Sequence, residues 1–269
     1  MRIPLTSALF GLLWLAWAAP AAAQFNIPSP VVPAEDYRVE VGLRLWTPTP
    51  EITIAADGSV VAGTDINLIS EFGIEKVRFR ELRAEVKPSQ RHKIRVARVP
   101  IRYDADAVIE RTLSFSGQTF TVGEPTHAEL DWDFWRFGYE LDVASGSSGF
   151  IGALVDLQYH RIEALISSPR GSATAQARAP VPTVGFIARG YLADSFSLTA
   201  EFSGFKVPDW IYDDADASVK DFDVYATLHL GKNLGVQGGY RNMSADYVVD
   251  EDRGNLKMKG YYVGGLLRF

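Results

Sequence analysis

The sequence predicts an all-β chain: a closed antiparallel up-and-down transmembrane β-barrel of about ten strands, with 8 or 12 as neighbouring solutions. Three observations predict it. Apolar and polar residues alternate with period two in segment after segment from Tyr37 to the end. Brief turns alternate with long polar stretches. The last segment keeps its alternation through Tyr261, Val263, Gly265, Leu267 and Phe269.

Taken in order, the chain opens with a leader. Arg2 gives a positive start, Leu9–Leu15 is an apolar run, and Ala21-Ala22-Ala23 supplies the small residues that signal peptidase cuts. Residues 1–23 therefore read as a cleaved signal peptide; the apolar run is shorter than the roughly 20 residues of a spanning helix. Residues 24–36, with Pro28, Pro30 and Pro33, read as a periplasmic linker, and 37–269 as the barrel. No later apolar run is long enough for a transmembrane helix. There is no cysteine, hydrophobic residues make up 47% and the net charge is -6, so nothing suggests a disulfide framework or a nucleic-acid partner.

The strands follow. In Tyr37–Trp46 the odd positions are apolar, while Arg38, Glu40 and Arg44 share the other face. Phe222–Leu230 repeats the scheme with Asp223, Thr227 and His229 opposed to the apolar set. Segments 77–87, 92–103, 128–143, 150–166, 181–192, 196–207, 234–247 and 256–269 follow more loosely. Two breaks in parity stand out. Ile94 and Val96 share one parity while Val99, Ile101 and Tyr103 share the other, and Phe134-Trp135 marks a second switch. Each predicts either a bulge or a place where the strand leaves the membrane.

Turns at 88–91, 145–149, 193–195 and 231–233 are brief. Stretches 47–76, 104–127, 167–180, 208–218 and 248–255 read as long outer loops, the asymmetry of an outer-membrane barrel. The first has a hairpin signal at Asp57-Gly58 and the second one near Ser116-Gly117.

In a membrane barrel the polar face lines the lumen. That assigns Arg38, Glu40, Arg44, Glu81, Arg83, Glu85, Arg95, Glu140, Asp142, Asp156, Arg189, Glu201, Asp223 and Arg241 to a lumen charge network. Opposite charges on neighbouring strands of a narrow barrel should pair, because an unpaired buried charge is costly. A largely plugged lumen follows.

The segment Tyr262-x-Gly264-x-x-Leu267-x-Phe269 resembles the β-signal read by the bacterial barrel-assembly machinery, which is thereby implied as a partner during biogenesis. The stretch from Tyr37 onward resembles small outer-membrane β-barrel proteins of the OmpA-like superfamily. Gly63–Leu68, Phe72-Gly73-Ile74 and Arg136–Tyr139 are similar to a recurring group within it. The resemblance implies a bacterial outer-membrane location, with lipid and lipopolysaccharide around the chain, and leaves activity open.

Candidate chemistry is sparse. Asp131-Trp132-Asp133, with His127 nearby, is superficially similar to the paired-carboxylate motif of omptin proteases, ten-stranded barrels that also carry Asp-x-His near the outer rim. Here His229 follows Thr227 and Leu228, so the second motif is missing. A lipid-modifying site needs a nucleophile and base in reach, usually Ser and His; His92, His127, His160 and His229 sit in no such sequence arrangement. Acids at Asp213, Asp214 and Asp216, at Asp104 and Asp106, and at Asp250, Glu251 and Asp252 match no ligand-loop spacing, so no metal or cofactor is expected. Trp46, Trp132, Trp135, Trp210 and Tyr212 read as an interfacial girdle or as an apolar binding mouth. The expectation is a non-enzymatic barrel for envelope integrity or surface interaction. A narrow channel for small or hydrophobic solutes is the alternative, and a rim hydrolase the third reading.

Overall fold

The structure, a computed structural model, describes residues 35–57, 62–206, 215–249 and 252–269. Ten long strands run antiparallel in chain order: β1 (Val39–Ala55), β3 (Phe79–Ser89), β4 (His92–Val108), β7 (Pro125–Gly146), β8 (Gly149–Ser168), β9 (Gly171–Ala193), β10 (Phe196–Lys206), β11 (Ala215–His229), β12 (Leu234–Val249) and β13 (Asp252–Arg268). β13 returns to pair with β1 from Glu40↔Arg268 to Ala55↔Arg253, which closes the cylinder. Closure leaves no backbone edge facing hydrocarbon. The Phe269 carbonyl accepts from the Arg38 and Val39 amides, so the last residue is tied to the first strand. Among the described residues no helix is long and apolar enough to cross a membrane.

Three smaller elements complete the chain: β2 (Ile66–Asn67) on β1, helix α1 (Leu68–Phe72), and the hairpin β5 (Leu113–Phe115)–β6 (Gln118–Phe120). Asn67 caps α1, its Oδ1 accepting from the Ile69 and Ser70 amides. The hairpin turns at Ser116-Gly117, where the sequence placed it, with φ of 48° and 81° as a type I′ turn requires.

A transmembrane strand needs about 9–11 residues. β7 has 22 and β9 has 23, so the strands run well beyond a membrane. The stretch 167–180 is therefore not a loop: β8 and β9 continue through it and turn at Pro169-Arg170. Much of 47–76, 104–127 and 248–255 is likewise strand. The turn at Asp57-Gly58 lies at the limit of the described residues.

The parity breaks have one cause. β4 and β7 stay in register from His92↔Leu141 to Val108↔Pro125 without a bulge. Lys93, Arg95, Val99, Ile101 and Tyr103 are all buried on the same inward face. Only the chemistry changes, because the strand leaves the membrane partway along. Below that level Ile94, Phe137, Val155, Phe186 and Val263 are exposed on the outer face. Above it the outer face carries Arg98, Arg102, Asp131 and Asp133 instead. Residues 261–269, at about 3.3 Å per residue and a tilt of about 40°, rise about 23 Å, close to the height of an apolar band.

Above the band the cylinder splits. β9 pairs with β10 only as far as Val184↔Gly204, and β4 with β3 only as far as Arg98↔Leu82. Two sheets result, β4-β7-β8-β9 and β11-β12-β13-β1, whose inner faces share an apolar core of Trp46, Ile52, Tyr103, Trp132, Phe134, Leu256 and Met258. Leu68 and Phe72 of α1 and Leu113, Phe115 and Phe120 of the hairpin fill it from the side and top. The hairpin thus packs inward. In β9, residues 171–183 pair as a ladder only with β8 among the described residues; the Thr174 carbonyl accepts from Ser116 Oγ of the hairpin, and Pro180 and Pro182 lie near the lower end of the stretch.

Candidate functional site

Inside the membrane-level half, the inward positions of all ten strands bring ionic side chains to the axis. Asp221 accepts two hydrogen bonds from Arg241, at 2.9 and 2.7 Å, and a further one from Arg136. Arg241 also lies 3.2 Å from Glu81. Arg44 pairs with Asp223 at 2.8 Å, donates to Gln237, and is stacked between the rings of Tyr225 and Tyr262, 4.6 and 4.5 Å from their centroids. Arg95 bridges Glu201 (2.6 Å) and Glu140 (3.2 Å), while Lys93 binds Glu140 and Asp142. Arg83 joins Glu201 to Asp223. Charge-assisted hydrogen bonds and ring faces replace the water these ions gave up.

The mouth at the short-turn end is closed by Glu35, which precedes β1. Its carboxylate lies 2.7 Å from Arg189 and 3.0 Å from Lys87 and accepts from the Tyr191 hydroxyl. Burial pushes this carboxyl up, but the cations around it prevail and hold it well below its usual range. A cavity among these charges, lined by Arg44, Arg83, Arg95 and Arg189, has a volume of about 30 Å³, room for about one water. At the seam between the halves Asp156, which lies 3.9 Å from Arg136, has no hydrogen-bond partner at either carboxylate oxygen, and neither do Gln158 Oε1 and His160 Nε2.

Of the fourteen residues assigned to the network from sequence, thirteen turn inward and Arg38 does not. It is exposed ahead of β1 and donates to the Pro88 carbonyl. Glu40 sits at the mouth beside Arg268 at 2.6 Å. Glu35, Lys87, Lys93, Arg136, Asp221 and Arg268 were missed. Four of them share the parity of residues assigned on the same strand, so stricter counting would have found them; Arg268 lies on a strand with no assigned charge, and Glu35 lies outside any strand and leaves no periodic signal.

The enzyme candidates do not converge. Asp131 and Asp133 point away from the axis, opposite Trp132, and each faces an arginine on β4: Arg102 at 3.5 Å and Arg98 at 2.9 Å. His127 pairs with Asp106 at 2.9 Å. His160 is buried between Trp132, which donates to its Nδ1 at 3.2 Å, and Phe134. One Ser–His contact does occur, Ser197 Oγ to His229 Nε2 at 3.4 Å, but the other ring nitrogen faces Arg268 at 3.2 Å. A cation at that nitrogen opposes the imidazolium that a general base must become. His92 is exposed beside Tyr139 at the foot of β4.

Among the described residues no group of three or more His, Cys, Asp or Glu could hold a metal. Asp213, Asp214, Asp250 and Glu251, and the side chains of Asp216 and Asp252, lie outside those residues, as do Trp210, Tyr212 and residues 1–34. Trp46 and Trp132 correct the girdle reading: both are fully buried in the outer core. Trp135 does face outward, stacked on Phe137 at 5.9 Å. In the assembly segment, Tyr262 turns inward and donates to Asp223 at 2.7 Å, while Leu267 and Phe269 face out. Gly264 is required by packing: a Cβ there would meet the Leu43 carbonyl at 2.5 Å and Arg44 Cγ at 2.9 Å.

No protein-family model and no curated protein matches the sequence. Solved structures match its fold. The outer membrane protease OmpT from Escherichia coli aligns with a TM-score of 0.55 at 10% identity, over 86% of this chain and 97% of that one. The translocator domain of the autotransporter NalP from Neisseria meningitidis gives 0.41 at 13% identity, over 86% and 88%. The attachment invasion locus protein Ail of Yersinia pestis gives 0.37 at 8%, over 86% and 99%. With its ten strands closed on themselves and an apolar band around them, the chain has the fold of a small outer-membrane β-barrel.

Proposed function

We propose that the protein is an integral barrel of the bacterial outer membrane, without catalytic activity and closed to solutes, that serves envelope integrity or surface interaction. The filled interior carries this reading. Paired ions occupy the membrane-level lumen, Glu35 stops its mouth, and a packed apolar core stands above it. A solute would have to displace both, which argues against the narrow channel. The outward, arginine-paired Asp131 and Asp133 argue against a rim hydrolase.

In this reading residues 1–23 direct export and are removed, 24–36 form a periplasmic linker, and the assembly machinery reads Tyr262, Gly264, Leu267 and Phe269. Outer-membrane lipid and lipopolysaccharide surround the barrel. Planar-bilayer recording on the inserted protein tests it: no stable conductance steps are expected, and large, long-lived openings would overturn it.

A further inference from the structure

The mouth at the short-turn end holds two cations that no strand neutralises. Lys87 stands near the end of β3 and Arg189 near the end of β9; three strands separate β3 from β9 one way round the barrel and five the other. Both side chains are buried, the residues being 6% and 7% exposed. The other inward cations each pair with a carboxylate carried on a strand, as Arg95 does with Glu201, Arg241 with Asp221 and Arg268 with Glu40. Among the described residues, the only carboxylate that pairs with Lys87 or Arg189 is that of Glu35, which lies outside every strand. A buried cation left without a counter-charge is costly, so the sheet has built a place that must be filled from outside it.

The donors are fixed in advance. Arg189 gives Nε to Thr199 at 2.9 Å and Nη2 to Tyr225 at 3.3 Å, with its guanidinium 5.3 Å from the centre of the Phe150 ring, and Nη1 is left for the mouth. Lys87 Nζ lies 4.9 Å from the centre of the Tyr37 ring. Their arrangement selects the ligand. One Glu35 oxygen accepts from Arg189 Nη1 at 2.7 Å and from the Tyr191 hydroxyl; the other accepts from Lys87 Nζ at 3.0 Å. The two oxygens of one planar group are thus used from opposite walls, a division that a single-centred anion such as chloride does not offer. Lys87 Nζ also donates to the Glu35 main-chain carbonyl at 2.8 Å, so the site reads a carboxylate together with its residue's backbone.

We propose that the strands build a carboxylate-binding site at this mouth, with Glu35 as its tethered occupant and a carboxylate supplied in trans as its second ligand. The tether keeps Glu35 at high effective concentration, so a competitor enters when the segment ahead of β1 is drawn away. That competitor is a small free carboxylate or an acidic side chain of another polypeptide; the shared chemistry is the planar two-oxygen anion. The lumen above is filled, so the ligand is held and not passed on. The site rests on the closed mouth of the reading above but fails separately from it, because conductance tests closure and ligand-dependent stability tests the site.

The test is urea unfolding of the full chain in detergent, followed by heat-modifiable gel migration, with sodium acetate titrated against sodium chloride at equal ionic strength. The wild type should not respond to acetate, because Glu35 fills the site. Glu35→Ala should unfold at lower urea, and millimolar acetate should restore the midpoint where chloride does not. If Glu35→Ala does not fold unaided, its folding yield with acetate against chloride gives the same reading. Glu35→Gln, whose amide still fills the space, should ignore acetate, and so should Glu35→Ala combined with Arg189→Gln. N-acetylglutamate α-amide separates the two sources: a half-effect on Glu35→Ala at least about tenfold below that of acetate, the worth of one added hydrogen bond from Lys87, assigns an acidic residue, and a smaller advantage assigns small free carboxylates. An acetate response in Glu35→Ala no larger than that to chloride, or one that survives Arg189→Gln, would overturn the site.

Discussion

Arg44 and Ile52 lie on the same inward face of one strand, both almost wholly buried, yet one belongs to an ionic network and the other to a hydrocarbon core. The two halves of the molecule repeat that contrast on almost every strand. At membrane level the solvent outside is lipid, so apolar side chains go out and ions go in. Above it the solvent is water and the ordinary arrangement returns. Strand direction, parity and hydrogen-bond register pass through the boundary unchanged. A β-strand fixes which residues share a face; the surrounding solvent decides which face is polar.

The contrast predicts different fragilities. The largest loss should follow Asp221→Ala, which strips Arg241 and Arg136 of their shared carboxylate. Breaking a buried network this way costs about 3–5 kcal/mol, and here the upper end is expected because two cations lose a partner. Urea unfolding in detergent or lipid vesicles measures it. Next comes Trp132→Ala in the outer core, at about 4 kcal/mol. Its signature differs: protease should cut the outer strands while the membrane-level half stays folded, and simultaneous loss of both would show that the halves are one cooperative unit. Val155→Arg, on the lipid face, should cost about 2–4 kcal/mol. Thr174→Arg, outward on β9 above the band, should change stability by less than about 0.5 kcal/mol. Equal costs at those two sites would break the boundary between the halves. A small effect is likewise expected for Asp133→Asn, an exposed pair with Arg98 worth about 0–1 kcal/mol.

The same boundary governs how much the sequence disclosed. The ten strands, their short turns and the Ser116-Gly117 hairpin were legible, since period two and turn chemistry are local signals. The outer half was not. Its polar outer positions, from Arg102 through Asp131, look like loop or lumen composition when every strand is assumed to stop at the membrane. That assumption turned Trp46 and Trp132 into girdle residues and 167–180 into a loop. Asp131 and Asp133 resembled a rim motif because sequence spacing says they share a face but not whether it is the inner one. Lys93 and Asp221 could have been found from their parity with Arg95 and Asp223. Glu35 could not, because its role depends on where a non-repeating segment meets the barrel mouth.

The open flank of β9 has a consequence for crowding. A molecule confined to a plane meets its own copies side by side, and a strand that among the described residues has a ladder partner on one side only is the natural place for two copies to zip together. Pro180 and Pro182 remove amide donors at the foot of that strand, where such lateral encounters would begin. The prolines thus favour a barrel that can be packed densely among its neighbours and still remain a separate molecule.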